Sequence, residues 1–157
     1  MPRALSRVRA ALVRGAMEES AMVNVPEVRV GDVMTRRVAT ARPDESLHEV
    51  WFQLGDEHCH HLPVVEAGRV VGMISSRDLV RVADRLGVSK LSATEVGDCT
   101  VAEVMTEGLE TIEADEPISA AIDRIGKGDL HALVVLDEKG DLAGIVTDRD
   151  LLQFMLN

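Results

Sequence analysis

The hydrophobic positions in the first half of the chain change their period in a fixed order. A short extended segment at 38–40 is followed by apolar residues at helical spacing between 47 and 54. Two apolar runs rich in β-branched residues, 62–65 and 70–74, are separated by a short stretch that contains glycine, which predicts a hairpin. A second helix is predicted over 76–86. The expected order is therefore strand, helix, strand, strand, helix.

The second half of the chain repeats this order. Its pattern predicts a strand at 109–112, a helix with apolar positions from 118 to 125, paired strands at 132–136 and 142–146, and a closing helix from 148. A sheet of about three strands with two helices on one side leaves its other face uncovered. We therefore expect an α+β fold in which two pseudo-symmetric β-α-β-β-α units pack sheet to sheet.

The duplication is also visible in individual motifs. Val-Met-Thr stands at 33–35 and again at 104–106, an offset of 71 residues. The pattern Gly-φ-φ-Ser/Thr-x-Arg-Asp-Leu stands at 72–79 and again at 144–151, where the last strand of each unit enters its last helix. An internal repeat of this kind organises the whole fold. It divides the chain into an N-terminal arm over 1–27, a first repeat over 28–86, a polar connector over 87–99 and a second repeat over 100–157.

The arm differs from the rest of the chain in charge. Arg3, Arg7, Arg9 and Arg14 precede its first acidic residue, Glu18, whereas the whole chain carries a net charge of −10. An apolar stripe at helical spacing predicts a helix for the arm, although its Arg-rich, acid-free composition is also typical of a transit peptide. After Met17, 27 acidic residues face 13 basic ones, which argues against nucleic-acid binding anywhere except the arm.

Composition also bears on the compartment. The chain has 157 residues and is 46% apolar, enough to bury a core without disulfides or metal. It contains no run of eighteen apolar residues, so we expect no membrane span. Cys59 and Cys99 stand apart and form no Cys-x-x-Cys pair, which is typical of a reducing compartment. We therefore expect a cytoplasmic protein.

A further repeated motif, His-x-φ-Val-Val, begins at His61 and at His131. Together the repeated motifs resemble the CBS domain pair, also called a Bateman module, over residues 30–156. The resemblance implies a free-standing regulatory protein, not an enzyme, that binds an adenosine-containing ligand such as AMP, ATP or S-adenosylmethionine between its repeats. It implies no required cofactor besides that adenosine nucleotide as regulatory ligand. It also implies an unidentified partner protein that the module regulates.

The resemblance assigns the phosphate and the ribose to the hydroxyl and the carboxylate of the repeated pattern. An ionised Asp accepts hydrogen bonds from ribose hydroxyls, and a helix N-terminus attracts a phosphate. Adenine would lie between aliphatic walls from the first and middle strands. The expected ligand-binding residues are Thr40, His61, Pro63, Ser75, Arg77 and Asp78 for one half, and Ile112, His131, Leu133, Thr147, Arg149 and Asp150 for the other.

Helix capping explains the same hydroxyl and acid pairs without any ligand. In a capping box, a hydroxyl and an acid three residues later satisfy free N–H groups at a helix start. Capping does not require the arginine that precedes the acid in both copies, Arg77 and Arg149, and this favours ligand binding. Asp148 would repel a phosphate at the second site. The alternative function is an interaction or assembly module whose clefts are empty.

Other candidate chemistry is weaker. His58, Cys59, His60 and His61 are adjacent, but successive side chains of an extended segment point to opposite faces. At most two of them converge, whereas a closed zinc site needs four ligands. We therefore expect no metal site. No catalytic set and no Gly-rich phosphate loop accompany them, so we expect no enzymatic activity.

Two helical surfaces carry more apolar residues than one core can bury. The last helix is apolar on nearly every side over 151–156, and Phe52 faces away from the apolar stripe of its own helix. We expect these surfaces to be covered in a homodimer. The alternative is that the final residues fray or contact the arm.

Overall fold

The computed structural model describes residues 27–56, 59–128 and 130–157, so the predicted N-terminal arm lies outside these ranges apart from Glu27. The four long helices and both hairpins are present as predicted and the α+β class is confirmed, whereas the three four-residue helices were not expected. In chain order they are α1 Val30–Val33, α2 Leu47–Asp56, β1 His61–Glu66, β2 Arg69–Ser75, α3 Ser76–Leu86, α4 Ala93–Val96, α5 Val101–Val104, β3 Thr111–Glu113, α6 Ile118–Lys127, β4 Ala132–Leu136, β5 Leu142–Thr147 and α7 Asp148–Leu156.

Each repeat contains the predicted antiparallel hairpin. β1 pairs with β2, and β4 pairs with β5. In the first hairpin Ala67 and Gly68 have φ values of 49° and 78°. Positive φ at both central residues gives a two-residue turn the same twist as its strands. The turn therefore sets the register of the strand that leads into α3.

The first strand of each repeat departs from the prediction. In the second repeat, the strand predicted at 109–112 is present as β3, shifted toward the C-terminus and parallel to β4. There Ala114 donates a backbone hydrogen bond to the last residue of β4 at 3.1 Å. In the first repeat, the strand predicted at 38–40 is reduced to a single bridge at Ala41. Pro43 matches Ala114 by the offset and has no N–H to donate, so the ladder ends there.

The opening residues of each repeat pair with the other repeat. Thr35 and Ile145 of β5 exchange two backbone hydrogen bonds, at 2.9 and 3.0 Å, and Thr106 and Met73 of β2 do the same at 2.9 and 3.0 Å. The short helix that precedes each of these segments also packs against the other repeat. As a result, α1 is buried in the core of the second repeat and α5 in the core of the first. Each core therefore contains a segment of the other repeat.

The sequence predicts a polar connector over 87–99, but the structure buries two of its apolar residues. Leu91 and Val96 are 2% and 7% exposed and belong to the core of the first repeat. Between them, α4 begins at a capping box in which Ser92 and Glu95 exchange hydrogen bonds. The connector is therefore packed against the first repeat and does not loop away from it.

A third apolar cluster joins the two sheets. Met73 of β2, Val134 of β4 and Ile145 of β5 are buried against one another. Val38 and Leu109, from the opening segments of the two repeats, are half-buried beside them. This cluster confirms the predicted packing of one sheet on the other.

Two glycines permit the close approach of the exchanged segments. A Cβ built on Gly144 would lie 2.5 Å from the carbonyl oxygen of Thr35, and one on Gly72 would lie 3.0 Å from that of Thr106. Both oxygens accept the hydrogen bonds that join the repeats, so neither moves without breaking the exchange. Glycine is therefore required at the repeated position that opens the Gly-φ-φ-Ser/Thr pattern.

We predict that Gly144→Ala lowers the free energy of unfolding by about 1–3 kcal/mol, because the methyl group overpacks against backbone. Gly126→Ala is the matched control, since Gly126 lies in α6 with nothing within 4 Å of its built Cβ. Replacing a helical glycine by alanine stabilises by up to about 1 kcal/mol. Urea unfolding of both variants tests the pair, and equal stability would contradict the role given to Gly144.

Candidate functional site

A cleft of about 500 Å³ lies between the two repeats. From the first repeat it is lined by His61 and by the start of α3, including Ser75, Arg77 and Asp78. From the second repeat it is lined by residues of the opening segment and by the approach to β4, chiefly Thr106, Leu109 and His131. Five of the residues predicted from the sequence therefore meet in one cleft: His61, Ser75, Arg77, Asp78 and His131.

Ser75 and Asp78 form a capping box at the start of α3. Oδ2 of Asp78 accepts hydrogen bonds from the backbone N–H of Ser75 at 2.8 Å and from its hydroxyl at 2.9 Å. The hydroxyl in turn accepts from the N–H of Asp78 at 3.3 Å. Oδ1 of Asp78 lies 3.7 Å from the guanidinium of Arg81. One carboxylate oxygen thus serves the helix, and the other is held only by a long ion pair on its own helix.

The same box occurs away from any predicted site. Ser46 and Glu49 exchange capping hydrogen bonds before α2, as do Ser92 and Glu95 before α4. The hydrogen bonds from Ser92 lower the pKa of the Glu95 carboxyl. A capping box is therefore common in this chain, and the position of Asp78 in the cleft, not its cap, marks it as a candidate.

The second predicted pair has the same local geometry in a different setting. Oδ2 of Asp150 accepts from the N–H and hydroxyl of Thr147 at 2.8 and 2.9 Å. Asp150 lines a cavity of about 420 Å³ together with Asp32 and Phe154, whereas Arg149 is exposed. The cavity at Asp150 thus differs in its lining from the cleft at Asp78.

Besides Thr147, Arg149 and Asp150, four predicted residues do not line the cleft. Ile112 and Leu133 are 1% and 0% exposed in the core of the second repeat. Pro63 is buried, and the carbonyl of Thr40 accepts a hydrogen bond from the Gln53 amide at 3.0 Å. The apolar side chains that do line the cleft are Met73, Leu109 and Leu130, together with Ala132.

Sequence reasoning missed Thr106 and Leu109 because it assigned each opening segment to its own repeat. The sequence did mark these segments by the repeated Val-Met-Thr motif. The repetition did not show that each copy of the motif packs against the other repeat. It also missed Arg81, which lies one helical turn beyond Asp78 and lines the cleft. Helical spacing alone would have placed these two side chains on one face.

Two histidines meet in the cleft from opposite repeats. Burial lowers the pKa of His61, with a smaller contribution from neighbouring His60, so its ring favours the neutral form. Nε2 of His131 lies 3.1 Å from Nη1 of Arg77, and its Nδ1 lies 3.1 Å from Oδ2 of Asp148. These two contacts link Arg77 of α3 through His131 to Asp148 of α7, across the cleft.

Two kinds of feature are absent from the described part of the chain. No group of three or more His, Cys, Asp or Glu side chains in that part is placed to hold a metal ion. None of its helices combines the length and the apolar character that crossing a bilayer demands.

Comparison with curated proteins finds relatives of greater length. A homoserine O-acetyltransferase from Methanococcoides burtonii is 38% identical over 123 residues, which are 78% of this chain and 23% of that enzyme. The chain spans no more than 46% of the length of three further relatives from Methanocaldococcus jannaschii and Methanohalobium evestigatum.

Comparison with solved structures finds pairs of the same repeat. The CBS domain pair of protein MJ0100, crystallised with 5′-methylthioadenosine and S-adenosyl-L-methionine, is 27% identical with a TM-score of 0.67, and the match covers 82% of this chain and 95% of that one. CBSX2, crystallised with AMP, is 25% identical with a TM-score of 0.69, and the match covers 82% of this chain and 96% of that one.

The family model for the CBS domain matches twice, at residues 30–85 and 101–157. The two matches coincide with the two copies of the repeated pattern and together span most of the chain. With the fold of a CBS domain pair also found, this chain belongs to the CBS domain family.

Proposed function

We propose that this protein binds an adenosine-containing ligand in the cleft between its repeats and reports the binding to a partner protein. The observation that carries the proposal is the meeting of Ser75, Arg77 and Asp78 with His131 of the other repeat in one cleft. A ligand held there would contact both repeats. Its binding would shift the balance between their relative arrangements, which a partner surface could distinguish.

The groups in the cleft suit the three parts of a nucleotide. Oδ1 of Asp78 is available to accept hydrogen bonds from ribose hydroxyls, since Oδ2 is committed to the cap. The guanidinium of Arg77 and the positive end of the α3 dipole suit a phosphate. Met73, Leu109 and Ala132 offer an apolar surface for adenine. These three replace the walls expected from Ile112 and Leu133.

The relatives support this ligand class. MJ0100 was crystallised with 5′-methylthioadenosine and S-adenosyl-L-methionine, and CBSX2 with AMP. All three ligands contain adenosine and differ in the group at the 5′ carbon. We infer a regulatory role, because a ligand in this cleft contacts both repeats and can change their relative arrangement.

A second candidate is an assembly module that takes no ligand. The capping box accounts for Ser75 and for Oδ2 of Asp78, and the same box occurs at Ser92 and Glu95 far from the cleft. In this case Asp78 contributes only to stability.

We predict that the protein binds AMP at micromolar concentration and that 2′-deoxy-AMP binds about tenfold or more weakly. A hydrogen bond to an ionised carboxylate is worth about 1.5–3 kcal/mol, and the deoxy ligand lacks one donor. Titration calorimetry with both ligands tests this without changing the protein. Equal affinity for the two ligands would contradict ribose recognition by a carboxylate.

We also predict that Asp78→Ala abolishes AMP binding, whereas Glu95→Ala leaves it intact. Each substitution removes the acid of one capping box and so weakens the start of its helix. Only Asp78 lines the cleft. Calorimetry on both variants, with thermal unfolding as a check of folding, separates the two candidates. The assembly module is supported when both variants lose stability and no ligand binds the unmodified protein.

We further propose that the protein is a homodimer. Phe52 of α2 and Val80 of α3 are 57% and 49% exposed, and Leu152 and Leu156 of α7 are 59% and 74% exposed. Apolar side chains exposed in groups on helices are typical of contact surfaces. Phe52 and the α7 residues lie on helices that the sequence also marked as uncovered, whereas Val80 lies on α3, which it did not mark.

We predict that sedimentation velocity at micromolar concentration gives a dimer and that Phe52→Asp or Leu152→Asp shifts it to monomer, since a buried, unpaired carboxylate opposes association. Ala67→Asp is the control, because it adds the same charge in an exposed hairpin turn. A monomer in the unmodified protein would overturn the dimer.

A further inference from the structure

The contact between Arg77 and His131 defines the tautomer of that histidine. A guanidinium only donates hydrogen bonds, so Nε2 of His131 must accept from Nη1 of Arg77 and carries no proton. The ring proton is then on Nδ1, which donates to Oδ2 of Asp148. In this arrangement His131 is neutral and oriented by Asp148. It forms a bridge from the second repeat to an arginine of the first.

Arg77 is the cation in the cleft that can most easily leave its present partner and contact a ligand. Of the two arginines that line the cleft, Arg81 faces the carboxylate of Asp78 at 3.7 Å, whereas Arg77 is held by a neutral ring. His131 and Asp148 are 45% and 49% exposed, so solvent weakens the bridge further. An anionic acceptor binds a guanidinium more strongly than a neutral one does.

A phosphate at the start of α3 would lie within reach of Arg77. Arg77 is the second residue of α3, where the positive end of the helix dipole favours an anion. The other ionisable groups that line the cleft are His60, His61 and Asp78 from the first repeat and Asp148 from the second. Asp148 would repel the phosphate, so the attraction of Arg77 has to outweigh this repulsion.

We propose that His131 and an anionic group of the ligand compete for Arg77. A phosphorylated adenosine ligand takes Arg77 and opens the bridge between the repeats, whereas an uncharged nucleoside leaves the bridge closed. This inference rests on the proposed function, because it concerns how the same cleft distinguishes a charged ligand from an uncharged one. It makes the charge at the 5′ position of the ligand the feature that the protein senses.

Within the described residues, the bridge joins an arginine of the first repeat to a histidine of the second, and the reverse pair is not formed. Arg149 matches Arg77 in the repeated pattern, but its exposed side chain makes no hydrogen bond to His61 there. The position that matches Asp148 is Ser76, whose hydroxyl lies 3.4 Å from Nδ1 of His60. The competition is therefore specific to the Asp78 cleft.

The test is the ratio of AMP affinity to adenosine affinity, measured by calorimetry on the full chain. We expect His131→Phe to raise this ratio by up to about fivefold, because Arg77 no longer has a competing acceptor. We expect Arg77→Gln to lower it by about tenfold or more, because a charge-assisted contact to the phosphate is lost. Arg85→Gln removes the same charge near the other end of α3, outside the cleft, and should leave the ratio unchanged.

The outcomes separate this inference from the proposed function. If neither AMP nor adenosine binds, the proposed function is wrong and the competition falls with it. If both bind but His131→Phe and Arg77→Gln leave the ratio unchanged, the competition alone is wrong. Imidazole ¹⁵N spectra of the unmodified protein provide a second readout. AMP should shift the Nε2 resonance of His131 and adenosine should not, and an equal response to both would overturn the competition.

Discussion

The exchange of backbone hydrogen bonds between the opening segment of each repeat and the last strand of the other is the contact on which the structure depends. It brings Thr106 beside β2 and Thr35 beside β5, at a distance that only glycine at positions 72 and 144 allows. Because β2 leads directly into α3, the same contact places the second repeat opposite the start of that helix. The cleft is thus a consequence of how the repeats are joined.

Asp78 serves stability and recognition with different atoms. Oδ2 accepts two hydrogen bonds from Ser75 and satisfies the helix start, while Oδ1 faces only the distant Arg81. A helix cap holds its acid in one rotamer, so the free oxygen is oriented before any ligand arrives. Capping and binding are therefore not exclusive explanations of this motif, because the cap can orient the carboxylate that a ligand would use.

Local patterns were sufficient for the four long helices and the hairpins, but not for the three short helices or for the relation between the repeats. The hairpins and helices follow from apolar period and turn residues, and even the lost first strand has a local cause in Pro43. The exchange of opening segments is a long-range choice that aligning the two copies does not reveal. The prediction of the cleft walls was wrong for a different reason. Neighbouring residues of β4 face opposite sides, so Leu133 enters the core and Ala132 lines the cleft. An error of one residue moves a side chain to the other face.

The duplicated chain keeps its fold symmetric and its polar chemistry asymmetric. Asp148 in one copy and Ser76 in the other occupy the same position at a helix start, yet only the carboxylate orients a histidine toward an arginine of the opposite repeat. The backbones at the two helix starts are alike, so the residue at this one position distinguishes the cleft that contains the polar bridge. Under the competition proposed above, a charged ligand opens that bridge, whereas the other side of the module has no such bridge to open, so the two sides respond unequally.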